Sequence, residues 1–170
     1  MSSFQFTPPL KFELFPKVNC SSSFDSELAV DKIASLVAGH EEMLIKKMDP
    51  KNILQQPSLD PVIKVKVRSL LLEAYRHNLR VRIFEGVRSH ARQNQLFAKG
   101  VTKARAGQSP HNFGKAVDVV FLDQNNRPSW SLSHDWKKLG ELGKQNGLEW
   151  GGDWKFVDMS HFQEPGFRAR

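Results

Sequence analysis

The run Ser109–Phe121, SPHNFGKAVDVVF, sets an aspartate inside a β-branched apolar segment. Residues 115–122, KAVDVVFL, read as a strand. An unpaired carboxylate buried in such a strand is costly, or it takes up a proton instead. Asp118 therefore needs a partner. His111 lies seven residues earlier, across a glycine turn at Gly114, and His161 lies in DMSHFQ toward the far end of the chain. Two imidazoles and one carboxylate on short strands match the three-ligand pattern of a catalytic zinc site, whose fourth position is left for water. The metal would then be the partner. A plain His–Asp hydrogen bond is the competing reading, and spacing alone does not exclude it.

The remaining pattern points to the α+β class: a small, mainly antiparallel sheet with flanking helices and the metal site on the sheet face. Residues 1–23 are turn-rich. Phe24, Leu28, Ile33, Leu36, Val37 and Leu44 give an amphipathic helix over 24–48, ended by Asp49-Pro50. Residues 1–50 thus form an N-terminal extension and 51–170 the main domain. QQPSLDP reads as a linker. Asp60-Pro61 starts a helix to about Asn78, with Val62, Val65, Leu71, Leu72 and Tyr75 on its apolar side. RVRIFEG is a strand, SHARQNQLFAKG a short helix closed by Gly100, and VTKARAGQSPHNFG a loop. DQNNRPS is a turn. Ser133–Asn146 is a helix with Trp136, Leu139 and Leu142 inward and Gly147 just past its end. WGGDW is a tight loop and KFVDMSHFQ the last strand region.

Composition narrows the partners. The single cysteine, Cys20, excludes an internal disulfide and a thiolate metal cluster; it reads as a small half-buried residue. No apolar stretch reaches membrane-span length, and the opening MSSFQFTPPLKFELF lacks the pattern of a secretory signal. A net charge of +7 favours anionic partners, but no zinc-finger spacing or RNA-binding signature appears, so nucleic acid is not expected.

Three segments resemble one known family. SPHNFGKAVD fits S-x-H-x-x-G-x-A-x-D at every fixed position. EWGGDWKFVDMSHFQ is similar to a second signature, E-W-G-G-x-W followed by D-x-x-H-F. Arg88, Ser89, Gln93, Leu96 and Phe97 fit a third. Together they resemble, over about residues 52–165, the zinc D-alanyl-D-alanine carboxypeptidase family, and within it the phage endolysins that cut L-alanyl-D-glutamate bonds. The resemblance implies zinc ligands at His111, Asp118 and His161, an acid/base carboxylate at Asp158, and a carbonyl-contacting arginine at Arg88. It also implies substrate contacts at Ser109, Gln93 and Trp150. Where the family commonly has proline before the last histidine, this chain has Ser160. Three residues separate Asp158 from His161, so a turn or bulge is expected between them.

The implied function is a zinc metallopeptidase of peptidoglycan stem peptides, acting on the L-alanyl-D-glutamate bond. The alternatives are a D-alanyl-D-alanine carboxypeptidase and a non-catalytic cationic wall-binding module. A monomer is expected, made in the host cytoplasm and reaching the anionic envelope after membrane permeabilisation. Glu149 and Asp153 are rival carboxylates for the acid/base role. Trp150 and Trp154 are either groove walls or core. His40, His77, His90 and His134 read as surface or capping residues.

Overall fold

The computed structural model describes residues 23–169. The irregular reading of the first 22 residues, Cys20, and the side chains of Phe24 and Leu28 lie outside the described residues. The chain divides into two units, Met1–Met43 and Leu44–Arg170. Helix α1 (Ser23–Met48) runs through that division and ends with Lys46 and Lys47, cations placed against the negative end of the helix dipole. Ile33, Leu36 and Val37 of its expected apolar face are exposed. Leu44, Ile45 and Met48 are buried in the second unit's core.

In the second unit, a turn the sequence reading missed leads into the QQPSLDP linker. The Asp49 carboxylate accepts from the backbone N–H groups of Ile53 and Leu54, both at 2.8 Å, and folds a 3₁₀ turn at Ile53–Gln55. Helix α2 (Pro61–Arg76) starts as expected: Asp60 caps it by accepting from Val62 and Ile63 N–H at 2.9 and 3.3 Å. Its buried stripe is Ile63, Val67, Leu70, Leu71 and Ala74, the i, i+4, i+7, i+8 spacing of one helix face. Val62 and Val65 fall off that stripe and are exposed, contrary to the expectation. Asn78, in the left-handed region at φ 59°, turns the chain into β1 (Val81–Glu85).

Helix α3 (His90–Ala98) is capped by Ser89, whose hydroxyl accepts from Arg92 N–H. A 3₁₀ turn, Pro110–Phe113, carries His111 into β2 (Ala116–Leu122). Short β3 (Pro128–Ser129) lies inside the expected turn. Helix α4 (Trp136–Gln145) begins later than Ser133, because Asp135 supplies the cap by accepting from Lys138 N–H at 3.0 Å. The EW pair forms β4 (Glu149–Trp150), followed by a 3₁₀ turn at Gly151–Asp153. Strand β5 is only His161–Gln163, shorter than the expected region. The Asp158 N–H binds the Gly151 carbonyl and the His161 N–H binds the Asp158 carbonyl. The expected turn between Asp158 and His161 is therefore present.

The strands form one antiparallel sheet in the order β1-β2-β5-β4, with β3 also on β2. Alternation along β2 divides its two faces. Val117, Val119 and Phe121 join a core shared with Ile63, Leu70, Leu139 and Leu142. Asp118, on the opposite parity, faces the other way. α4 packs tightly on the sheet end: a methyl at Gly140 would fall inside the Trp150 ring.

Candidate metal centre

The sheet register assembles the site. Asp118 on β2 pairs with Glu85 on β1 and with His161 on β5, which sets three functional side chains in one row across three strands. His111 reaches the same point from the 3₁₀ turn. Its Nε2 lies 3.3 Å from Asp118 Oδ1 and 3.2 Å from His161 Nδ1, and His161 Nδ1 lies 3.4 Å from Asp118 Oδ1. Among the described residues, these three form the one cluster whose donor atoms could share a metal ion.

The donor chemistry fits a zinc ion. Tetrahedral ligands at zinc–nitrogen and zinc–oxygen bond lengths sit roughly 3.3–3.5 Å from one another, and the measured edges are 3.2–3.4 Å. The outer atoms of all three groups are occupied. His111 Nδ1 donates to the Gly86 carbonyl at 2.7 Å, and His161 Nε2 donates to Gln163 Oε1 at 3.0 Å. Asp118 Oδ2 accepts from Arg88 Nη2 at 3.2 Å. With both outer nitrogens protonated, the inner nitrogens of neutral His111 and His161 present lone pairs to each other and to a carboxylate oxygen. Such an arrangement calls for a cation at its centre. The flanking hydrogen bonds are the kind that fix tautomer and ring orientation in metal sites.

The same electrostatics act on the acids and bases. When the two imidazoles instead carry protons toward Asp118, burial works to raise its carboxyl, but the His111 charge and hydrogen bonds from His111 and His161 outweigh it and hold it far below the carboxylate range. Burial works to lower His161, yet its hydrogen bond to Asp118 and the attraction of that carboxylate hold it above the ordinary imidazole value. The site favours positive charge in the protein's own terms.

Arg88 is almost fully buried and nearly saturated. Its Nε and Nη2 bond Glu85 Oε2 at 3.1 and 2.5 Å, Nη2 also reaches Asp118, and Nη1 bonds Gln93 Oε1 at 2.9 Å. Of five guanidinium N–H donors, one on Nη1 is left for a ligand. Glu85, which sequence reasoning missed, is thus the anchor of Arg88, and Arg92 Nε lies 3.6 Å from its second oxygen. The available signal was a lone acid at the end of the strand RVRIFEG.

A cavity of about 760 Å³ opens over the cluster. His111, Asp118, His161, Arg88, Ser109 and Asp158 all line it. The other two expected substrate contacts stand elsewhere. Gln93 is fully buried behind Arg88 and donates to the Ala104 carbonyl at 2.8 Å. Trp150 is a core residue whose indole N–H binds the Met159 carbonyl. Trp154 takes the wall position instead, its ring centroid 5.0 Å from that of His161. Among the rival carboxylates, Glu149 accepts from Trp154 Nε1 and Gly166 N–H, and Asp153 pairs with Lys144 at 2.8 Å. Asp158 alone of the three faces the cavity; Ser160 Oγ donates to its Oδ1 at 3.1 Å. His40, His77 and His90 are exposed, and His134 stacks on Phe121 with its Nε2 on Ser129 Oγ.

Comparison with known proteins agrees with this chemistry. Residues 102–164 match the family described as D-alanyl-D-alanine carboxypeptidase. The peptidoglycan L-alanyl-D-glutamate endopeptidase CwlK of Bacillus subtilis is 34% identical over 121 residues, 62% of this chain and 72% of CwlK. The crystal structure of the Serratia marcescens L-Ala D-Glu endopeptidase ChiX is similar with a TM-score of 0.56 at 26% identity, covering 67% of this chain and 84% of ChiX. A zinc(II) complex of a mutant of the vancomycin-resistance D,D-pentapeptidase VanY shares the fold, with a TM-score of 0.50 at 19% identity over 64% of this chain and 73% of VanY.

Proposed function

The chain belongs to the D-alanyl-D-alanine carboxypeptidase family of zinc-dependent peptidoglycan peptidases, and on that premise we propose that it is an endopeptidase cutting the L-alanyl–D-glutamate bond of stem peptides. The observation that carries the reading is the convergence of three inner donor atoms whose outer partners are all satisfied. CwlK and ChiX, both named for this bond, support the choice of substrate.

In this reading His111 Nε2, Asp118 Oδ1 and His161 Nδ1 hold the zinc. When bound, the ion supplies Lewis acidity to the scissile carbonyl and to water. Asp158 takes the proton of the attacking water and returns it to the departing amine nitrogen, so one carboxylate serves as base and then acid. The Ser160 hydroxyl fixes one oxygen of that carboxylate. Arg88 holds Asp118 in its ligand orientation and offers its last N–H to the carbonyl oxygen as charge gathers there. The lysin setting in a host cell, with capture by anionic wall polymers, belongs to the same proposal and rests on the motif resemblance and the net charge of +7.

The decisive experiment digests purified peptidoglycan with and without a chelator and identifies the new termini by mass spectrometry. New D-glutamyl amino ends that vanish with chelator are expected. Release of free D-alanine instead would make the protein a carboxypeptidase. Zinc-loaded protein that binds wall without producing new ends would make it a binding module.

A further inference from the structure

The cavity wall holds a feature that cleavage of a dipeptide bond does not use. Trp130 lines the cavity yet is 50% exposed. A large aromatic left half in water at the wall of a site can take a ligand on its free surface. Its position is fixed on both sides. Its ring meets Phe84 edge-on, with centroids 5.0 Å apart at 87°. Phe84 is held in turn by Lys51, whose Nζ lies 4.9 Å from the ring centroid and donates to the Phe84 carbonyl at 2.9 Å. After Trp130, the Ser131 N–H binds Ser129 Oγ, and the Ser131 carbonyl accepts from Trp136 Nε1 at 2.9 Å. The indole is a braced platform.

Phe84 immediately precedes Glu85, whose backbone pairs with Asp118. The platform is therefore continuous with the metal centre through one wall of the same cavity. The chemistry of the substrate supplies an occupant for that wall. In peptidoglycan the nitrogen of the stem's L-alanine is joined through a lactyl group to muramic acid, so a pyranose ring follows that short spacer on the acyl side. A pyranose presents a C–H face that packs on an indole while its hydroxyls stay in water, the mixed surface that a half-exposed tryptophan suits.

We propose that Trp130, braced by Phe84, is a saccharide subsite that takes the muramic acid ring, so that the enzyme selects sugar-linked stem peptides over free ones. This rests on the reading of the site as an L-alanyl-D-glutamate peptidase. It separates a wall-cutting enzyme from one that trims free peptides with the same bond.

Two measurements on the zinc-loaded full-length protein test it. The first compares kcat/KM for N-acetylmuramoyl-L-alanyl-D-isoglutamine with that for N-acetyl-L-alanyl-D-isoglutamine, in wild type and Trp130→Ala. Wild type should favour the muramoyl substrate by about tenfold, and Trp130→Ala should bring the ratio near one. A wild-type ratio near one, or a variant that slows on both substrates while keeping the ratio, overturns the proposal. The second titrates the peptide-free N-acetylglucosamine–N-acetylmuramic acid disaccharide while following indole N–H signals by NMR. The resonance lost in Trp130→Ala should shift in wild type; its failure to move overturns the subsite. If neither peptide is cut yet that resonance shifts, the peptidase reading fails and the saccharide site stands.

Discussion

Asp118 and Asp158 show how two carboxylates of one site part company. Asp118 lies between two imidazoles and an arginine and is held ionised, the form its proposed ligand role needs. Asp158 stands in the cavity wall, where Ser160 Oγ donates to one of its oxygens. Replacement should separate the roles. Asp158→Asn is expected to keep a full zinc equivalent by metal analysis while turnover drops by about 10²–10⁴-fold; His161→Ala should lose both. An active Asp158→Asn enzyme would remove the acid/base assignment. The convergence of His111, Asp118 and His161 was legible because an acid in an apolar strand and two histidines declare their chemistry individually. The saturation of Arg88 was not, since no spacing tells that Glu85 and Gln93 converge on it from β1 and α3.

A third carboxylate, Asp60, tests the fold rather than the chemistry. The hydrogen bond from Lys115 at 2.6 Å, aided by Val62 and Ile63 N–H, outweighs burial and lowers its carboxyl below the usual value. A folded-state pKa below the unfolded one adds stability at pH above the unfolded value and loses it as pH falls through the folded value. Asp60→Asn keeps an oxygen for the cap but loses the charge. Wild type should therefore be more stable at neutral pH by about 1 kcal/mol, and denaturant melts should show the gap closing below about pH 4. A gap unchanged in acid would discard the Lys115 pairing as its cause.

At the level of elements, the periodic helices and the longer strands were readable: α2, α3, β1 and β2 follow from caps, stripes and β-branched runs. The pieces missed are short and set by distant contacts. The 3₁₀ turn at Ile53–Gln55 exists because the buried Asp49 binds its N–H groups. β3 and β4 are two residues each, defined by their neighbours in the sheet rather than by their own pattern. β5 is cut to three residues because the Asp158 turn folds back on Gly151. The turn that delivers His111 depends on Gly114, at φ 66°, where a side chain would run into the Ser58 carbonyl. The Asp60 N–H also binds the Gly114 carbonyl at 3.1 Å, tying the linker to this turn. Gly114→Ala combines backbone strain with a clash against main chain, which a flexible side chain cannot relieve. It should cost about 2 kcal/mol or more and weaken zinc binding in a chelator competition. Wild-type zinc affinity in the variant would show that the turn tolerates the shift without moving His111.

On the scale of the whole chain, charge is unevenly shared. Residues 1–43 hold three basic and six acidic residues, net −3, so the 22 basic and 12 acidic residues of 44–170 carry +10. The unit that contains the His–Asp–His cluster is also the cationic one, so the proposed attraction to an anionic wall would act on that unit. Every hydrophobic residue of its described core lies at or beyond Leu44, which sets the truncation point for a test. Two expectations follow from the same physics. Sedimentation with purified walls should weaken several-fold between about 0.05 and 0.5 M salt, as screening shortens the reach of surface charge. The chain beginning at Leu44 should bind at least as well as the full protein, since it sheds net negative charge. The competing idea is that α1, with Ile33, Leu36 and Val37 exposed, provides the attachment through its apolar face. That idea requires the opposite pair of results: binding that survives high salt and disappears on truncation. The two experiments together assign wall capture either to the charge of the catalytic unit or to the apolar residues of α1.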